Sequence, residues 1–213
     1  MRHCQKINKP FELSEVKKLE ITKGTTYKKY SDRPMVCLSF DRVILCKIKP
    51  EDKKSQSADW LEETIKIEYE EYGRNFEYLI YFRPKLIELL NTLDDYVFTA
   101  IYSSESDEFI DAVLVALAQK IDQYYGKASS RKFDIIKNNY FWSQNQCIQK
   151  GEEFLKSLGV VEQYSLSGIN NIWLIDDRPE LVDFTSHVIP VSSFKGDPED
   201  LELFRVMHQI FLS

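Results

Sequence analysis

The sequence lacks any apolar run near the roughly 20 residues that cross a bilayer, so no transmembrane segment is predicted. The first residues, MRHCQKINK, contain no apolar stretch of the kind found in secretory signal peptides. The four cysteines, Cys4, Cys37, Cys46 and Cys147, lie far apart without a CxxC pair, which argues against a zinc site. These absences predict an intracellular protein with reduced thiols.

Signatures of two other functional classes are missing as well. His3, His187 and His208 have no mutual spacing that suggests metal ligation, and no GxSxG nucleophile elbow is present. The formal net charge of −6 and a pI near 5.3 argue against a nucleic-acid surface. We therefore predict neither a serine hydrolase of the Ser-His-Asp type nor a nucleic-acid-binding protein.

The sequence does contain the pattern of a folded α/β domain, with 43% hydrophobic residues in 213. Residues 1–34 are charged and irregular and are predicted to form an N-terminal arm, whereas residues 35–213 are predicted to form one domain. Apolar runs predict buried strands, and helical periodicity predicts helices between them. Because helices separate the strands, we expect a Rossmann-like parallel sheet. The predicted strands cover residues 36–45, 96–102, 171–175 and 188–191, a hairpin covers 64–82, a surface loop covers 47–57, and helices cover 86–93, 107–124, 152–158 (ended by Gly159) and 201–212.

Polar side chains stand at the ends of three predicted strands. Ser39 and Asp41 end the first, Ser103 and Ser104 the second, and Asp176 and Asp177 the third. In an open parallel sheet, ligands bind at the carboxyl ends of strands, so these residues are candidates for a magnesium and phosphate site. Local turn capping, which also favours Asp and Ser, is the alternative explanation.

The order of these motifs resembles the haloacid dehalogenase superfamily, in its FCP homology, or small CTD-phosphatase-like (NLI-interacting-factor-like), branch. The stretch VCLSFDRVIL is similar to that family's first DxDx(T/V) motif, and a hairpin at about residues 60–83 runs into Arg83-Pro84. AIYSSES is similar to the second motif, and IWLIDDRP to the acidic motif. The resemblance covers roughly residues 30–210 and implies a haloacid dehalogenase fold with a β-hairpin insert after the first strand.

The resemblance also implies roles for individual residues. Ser39 occupies the position of the nucleophilic aspartate, and Asp41 that of the acid/base. Ser103, with Ser104 as a one-residue alternative, would bind a phosphoryl oxygen, and Asp176 and Asp177 would bind magnesium. The family's lysine aligns with Glu153, and of the two lysines one turn away, Lys150 and Lys156, we choose Lys150.

Ser39 is the main departure from the family. A carboxylate attacks phosphorus without activation and binds magnesium, whereas a serine hydroxyl is neutral and needs a base. The first hypothesis is therefore a pseudophosphatase, with weakened magnesium binding, that serves as a protein-binding or structural module in a larger complex. The alternative is a magnesium-dependent phosphoprotein Ser/Thr phosphatase. A nucleotide-binding switch of the flavodoxin-like fold ranks third, because it explains neither the hairpin nor Arg83-Pro84.

The resemblance further implies a protein or phosphopeptide partner. The hairpin carries five aromatic residues that could seat such a partner: Tyr69, Tyr72, Phe76, Tyr78 and Tyr81. The expected compartment is the nucleus or cytoplasm, with the matrix side of mitochondria as a further alternative.

Overall fold

The computed structural model describes residues 33–55, 63–137, 141–164 and 168–212. Of the predicted arm, only Arg33 and Pro34 belong to these ranges, and the rest lies outside them. In chain order the strands are β1 (Met35–Leu38), β2 (Leu45–Ile48), β3 (Ile65–Glu71), β4 (Arg74–Phe82), β5 (Phe98–Tyr102), β6 (Phe141–Trp142), β7 (Ile148–Lys150), β8 (Glu153–Leu155), β9 (Ile172–Asp176) and β10 (Val188–Pro190). The α-helices are α1 (Leu86–Asp94), α2 (Asp107–Tyr125), α3 (Asp134–Lys137), α4 (Leu158–Tyr164) and α5 (Glu202–Leu212).

A five-stranded parallel sheet in the order β10-β9-β1-β5-β6 forms the centre of the fold. The predicted Rossmann-like α/β class is thus confirmed. Strand β1 is central, and Leu38 pairs with Ile101 of β5 on one side and Ile175 of β9 on the other. The ends of these three strands therefore lie side by side.

Both faces of the central sheet are covered, which explains why β1 reads as a continuous apolar run. Val36 and Leu38 pack into a core that includes residues of α1, α2 and α5. Met35 and Cys37 point to the opposite face, where they join a second core with Leu158 of α4. The alternation places successive side chains of the strand in different cores.

The predicted strand over residues 36–45 is two strands joined by a tight turn. The carbonyl of Phe40 accepts hydrogen bonds from the N–H groups of Val43, Ile44 and Leu45 at 3.1–3.2 Å. Arg42 has a φ of 60°, in the left-handed region. The chain turns here from the central sheet into a second sheet that begins with β2. Asp41 lies in this turn, at the edge of the central sheet.

The insert after β1 is a three-stranded antiparallel sheet in the order β2-β4-β3. The predicted hairpin is present as β3 and β4, with Tyr72 and Gly73 at φ values of 50° and 72° in the turn, which suits a two-residue hairpin loop. The third strand, β2, contradicts the prediction that the surface loop begins at Lys47. Lys47 and Ile48 instead pair with β4, because the turn before β2 directs the chain antiparallel to that strand.

The helix predicted over residues 152–158 is wrong. Residues 148–155 form the hairpin β7-β8, whose turn contains Gly151 at a φ of 67°. Helix α4 begins only at Leu158 and includes Gly159, which was predicted to end a helix. The left-handed turn at Gly151 reverses the chain, so the apolar spacing of Phe154, Leu155 and Leu158 spans a strand and a helix start.

No helix within the described ranges is long and apolar enough to cross a membrane.

A half-buried carboxyl, Asp94 at the end of α1, lies near the start of β5 and away from the strand ends that form the cavity described below. Asp94 accepts hydrogen bonds from the Thr99 hydroxyl at 3.0 Å and from the Asp134 N–H at 3.1 Å, and Arg33 forms an ion pair with Asp134 at 3.4 Å. Burial, with the nearby Asp134 carboxylate, raises the pKa of Asp94 to about 6, against the hydrogen bonds and Arg33. At pH values between the ordinary pKa of an aspartate and about 6, the folded protein therefore keeps a proton on Asp94 that the unfolded chain releases.

We expect this proton to make the stability of the protein fall as the pH rises through about 6. The unfolded carboxyl has a pKa of about 3.9, so the contribution is complete below that value and disappears above the raised pKa of the folded state. Asp94→Asn has no such proton, and its urea-unfolding free energy should fall less than that of the unmodified protein between these two pH values. Parallel pH profiles for the two proteins would contradict the expectation.

Candidate active site

The ends of β1, β5 and β9 surround a cavity of about 210 Å³. It brings together six of the residues selected from the sequence, which come from three separate parts of the chain: Ser39, Asp41, Ser103, Ser104, Asp176 and Asp177. The carboxyl ends of neighbouring parallel strands meet at one edge of the sheet, so this convergence follows from the topology. Lys150, the seventh selected residue, is exposed on β7 and does not line the cavity.

Lys156 occupies the place that was expected for Lys150. Its Nζ lies 2.7 Å from Ser39 Oγ and 2.5 Å from Asp176 Oδ2, and the residue is 7% exposed. The choice of Lys150 depended on a helix that the structure does not contain. No local sequence signal identifies Lys156, because the start of the helix at Leu158 depends on a contact with Asp183, 25 residues further along the chain.

The main chain around Lys156 is held from both sides. The N–H of Lys156 donates to the Leu181 carbonyl at 2.9 Å, and the carbonyl of Lys156 accepts from the Asp183 N–H at 3.0 Å. The Asp183 carboxylate in turn accepts from the Leu158 N–H at 2.7 Å and from the Ser157 hydroxyl at 2.5 Å, at the start of α4. These contacts pin the short helix and direct Lys156 into the cavity.

Two of the cavity's serines are almost fully buried. Ser39, 4% exposed, continues β1 by donating its N–H to the Ile175 carbonyl at 3.1 Å. Ser103, 1% exposed, donates its N–H to the Trp142 carbonyl at 2.9 Å. Both hydroxyls are thereby held at the floor of the cavity by rigid main chain, whereas Ser104 is only partly buried.

Asp41 sits at the wall of the cavity in a mixed electrostatic environment. Burial raises the pKa of its carboxyl, and the acidic Glu105 and Asp177 act in the same direction, while Lys47 and Arg42 oppose them. Lys47 is itself paired with Glu105 at 2.6 Å. A carboxyl whose pKa lies above its usual value is better able to hold and donate a proton, which suits the acid/base position.

The two aspartates at the end of β9, Asp176 and Asp177, differ in their surroundings. Asp176 is buried, and its oxygens accept from Lys156 Nζ and, at 2.7 Å, from the Arg178 N–H. The carboxylate of Asp177 is partly exposed and has no hydrogen-bond partner within the described ranges. Asp177 is thus the freer of the two predicted magnesium ligands.

The oxygen ligands that magnesium prefers are only partly supplied here. The carboxylate of Asp177 and the hydroxyl of Ser39 lie on the cavity, but Asp176 is already engaged by Lys156. In the part of the chain that the structure describes, no group of three or more His, Cys, Asp or Glu side chains is arranged to hold a metal ion. The donor set fits a magnesium ion weakly, because one of its oxygens belongs to an uncharged serine.

Arg83 lies beneath the turn that carries Asp41 and connects that turn to the segment after β10. From the sequence it was recognised only as part of an Arg-Pro pair. Its side chain is fully buried and donates twice to the Asp200 carboxylate, at 2.8 Å each. It also donates to the Ser192 hydroxyl and carbonyl, and to the Val43 carbonyl at 3.1 Å. All five of its N–H groups are therefore used, and they tie the turn that carries Asp41 to the segment after β10.

The parallel sheet, its antiparallel insert and the cavity at the strand ends define an α/β domain of the haloacid dehalogenase type. Within that type, residues 34–211 match the NLI interacting factor-like phosphatases, and the chain belongs to that family. The family expected from the order of the sequence motifs is thereby confirmed.

Two solved structures of the RNA polymerase II CTD phosphatase Fcp1 are similar in fold. One, from fission yeast, is an arginine-to-alanine variant bound to beryllium fluoride, with 18% identity and a TM-score of 0.56 over 86% of this chain and 45% of that one. The other has 19% identity and a TM-score of 0.57 over 86% of this chain and 46% of that one. The chain thus spans less than half the length of either structure. No curated protein matches the sequence significantly.

Proposed function

We propose that this chain is a phosphatase-like domain that binds a protein partner at its cavity and does not turn over phosphate efficiently. The observation that carries the proposal is the position of Ser39, at the end of the central strand and 2.7 Å from Lys156 Nζ. In this family's chemistry, that place requires a carboxylate that attacks phosphorus. A hydroxyl there cannot attack until a base removes its proton.

The neighbours of Ser39 do not supply that base. Lys156 donates to Ser39 Oγ, and its ammonium group is paired with the Asp176 carboxylate. An ammonium that is held by a carboxylate has no lone pair with which to take the serine proton. Asp41 would have to serve as base for Ser39 and then as acid for the leaving group, and a phosphoserine intermediate resists hydrolysis far more than an aspartyl-phosphate.

A protein or phosphopeptide is the proposed partner. The two similar solved structures are phosphatases of the RNA polymerase II CTD, which is itself a protein segment. The insert sheet stands beside the cavity and is joined to its wall by the Lys47–Glu105 ion pair. A peptide bound at the cavity could therefore also contact the insert.

A magnesium-dependent phosphoprotein Ser/Thr phosphatase is the second candidate. It is supported by the convergence of Asp41, Lys156 and Asp176 on one cavity, because such a phosphatase needs an acid/base, a cationic group and a metal-binding carboxylate. If magnesium binds, Asp177 would hold it beside Ser39 and it would neutralise phosphoryl charge. Turnover would then depend on Asp41, because no other acidic group lies at the acid/base position.

An assay of the unmodified protein against Asp41→Asn tests the proposal. Both proteins are incubated with magnesium and para-nitrophenyl phosphate, and released nitrophenol is followed by absorbance. We expect equal rates, indistinguishable from the buffer. Asp95→Asn, an exposed position outside the cavity, is the matched control for contaminating phosphatases. Turnover by the unmodified protein and by Asp95→Asn that disappears in Asp41→Asn would establish the second candidate instead.

A further inference from the structure

The hairpin β7-β8 forms one wall of the cavity but is loosely packed on the rest of the molecule. Its residues Glu152, Glu153 and Phe154 line the cavity. None of residues 148–155 is buried: Phe154 and Leu155 are half-buried, and the others are exposed. The two strands pair only with each other, and a two-stranded sheet on its own is marginally stable in water. This wall of the cavity therefore has little packing to hold it in place.

One ion pair joins the hairpin to the segment after β9. The Glu153 carboxylate accepts from the guanidinium of Arg178, which also lines the cavity. Within the described ranges, no other hydrogen bond or ion pair connects residues 148–155 to the remainder of the chain. Both side chains of the pair are about half exposed, and exposed pairs contribute little to stability. The connection can therefore break and re-form readily.

The two ends of the hairpin, in contrast, are fixed to the core. The hydroxyl of Tyr102, a fully buried residue at the end of β5, donates to the Gln146 carbonyl at 3.2 Å and accepts from the Ser157 N–H at 3.0 Å. One side chain thus holds the residues on both sides of the hairpin. The main chain of Lys156 is held separately, by its two hydrogen bonds to the segment after β9. Movement is therefore confined to the residues between these anchors, and Lys156 stays in the cavity.

We propose that residues 148–155 are a lid on the cavity, which opens as a unit between its two fixed ends, and that the Glu153–Arg178 pair is the latch that closes it. Segments that open in this way come from the least stable parts of a fold, which have few buried contacts. The lid sets how readily a molecule enters the cavity. The inference goes beyond the proposed function, because it concerns entry to the cavity and holds whether or not the bound group is cleaved.

Ser39→Cys places a reporter thiol at the floor of the cavity for the test. Its thiolate displaces iodide from the uncharged reagent iodoacetamide, and peptide mass mapping gives the alkylation rate relative to that of Cys46, which lies outside the cavity. Glu153→Gln and Arg178→Gln, each added to Ser39→Cys, should both raise this relative rate by roughly two- to fivefold, as expected for the loss of an exposed ion pair. Glu180→Gln is the matched control and should leave the rate unchanged, because Glu180 lies 3.6 Å from Arg178 but is not part of the lid.

The directions of the two changes distinguish a lid from a purely electrostatic effect. Loss of a negative charge beside the cavity lowers the pKa of a thiol and makes it react faster, and loss of a positive charge does the opposite. A fixed wall therefore predicts a faster rate for Glu153→Gln and a slower rate for Arg178→Gln, whereas an opened lid predicts a faster rate for both. Opposite changes, or no change in either variant, overturn the inference.

Hydrogen exchange of the protein with Ser39 in place measures the same opening without a reporter, and it decides alone if Ser39→Cys does not fold. The amides of residues 148–155 should exchange faster in Glu153→Gln than in the unmodified protein, while those of β9 keep their rates. Unchanged exchange in residues 148–155 would overturn the inference. Faster exchange in β9 as well would also overturn it, because the pair would then stabilise the whole domain rather than close a lid.

Discussion

Ser39→Asp is expected to give the protein a magnesium-dependent phosphatase activity that exceeds the rate of the unmodified chain by about 100-fold or more. The substitution places a carboxylate at the end of β1, within reach of Lys156, and returns the nucleophile that the family's mechanism requires. Asp41, whose pKa is raised by burial, lines the same cavity and is the proposed acid/base. The added carboxylate also supplies the negative charge that the magnesium ligands lack.

The gain is measured as the initial rate of para-nitrophenyl phosphate hydrolysis in magnesium, with chelator as the blank. Ser39→Asn is the matched control, because its amide has the size of the aspartate but does not attack phosphorus. The activity should also disappear in the double variant that combines Ser39→Asp with Asp41→Asn. A folded Ser39→Asp protein that remains inactive would show that more than the nucleophile has been lost from this site.

Arg83→Met should destabilise the folded protein by about 3–5 kcal/mol, the usual cost of removing one partner from a buried ion pair. The side chain of Arg83 is fully buried, and its loss leaves the Asp200 carboxylate without its two charged hydrogen bonds. The carbonyls of Val43 and Ser192 lose their donor as well. The free energy of unfolding in urea, extrapolated to water, measures the effect.

Arg205→Met is the matched control for Arg83→Met. Arg205 also pairs with an acidic residue, Glu202, but its side chain is about half exposed, so the change should cost about 1 kcal/mol or less. Asp200→Asn should lie between the two, because the amide keeps one acceptor for Arg83. Equal losses for Arg83→Met and Arg205→Met would mean that the buried pair does not hold the turn after β1 in place.

Local side-chain chemistry was enough to predict the parallel sheet and most of the candidate site. Burial on both faces makes β1, β5 and β9 predominantly apolar, and the change to Ser and Asp at their ends marks the edge of the sheet. The hairpin could also be predicted, since β3 alternates and Gly73 supplies its turn. Six of the seven residues selected for the site line one cavity for this reason.

The lysine could not be chosen from the sequence because its position depends on where a helix begins. Phe154, Leu155 and Leu158 have helical spacing, yet the turn at Gly151 and the cap provided by Asp183 delay the helix to Leu158. Asp183 lies 25 residues beyond Leu158, so no local pattern reveals that contact. The structure alone distinguishes Lys156, in the cavity, from Lys150, on the surface.

By itself, the sequence determined the family and the apolar strands of the central sheet, and it predicted that a serine stands where an attacking carboxylate would be. The tertiary structure decided which distant groups surround that serine. Ser39 and Lys156 are separated by 117 residues, as are Arg83 and Asp200. Periodicity reports only what neighbours in the chain require, whereas contacts of this range exist only after the sheet has brought its strand ends together.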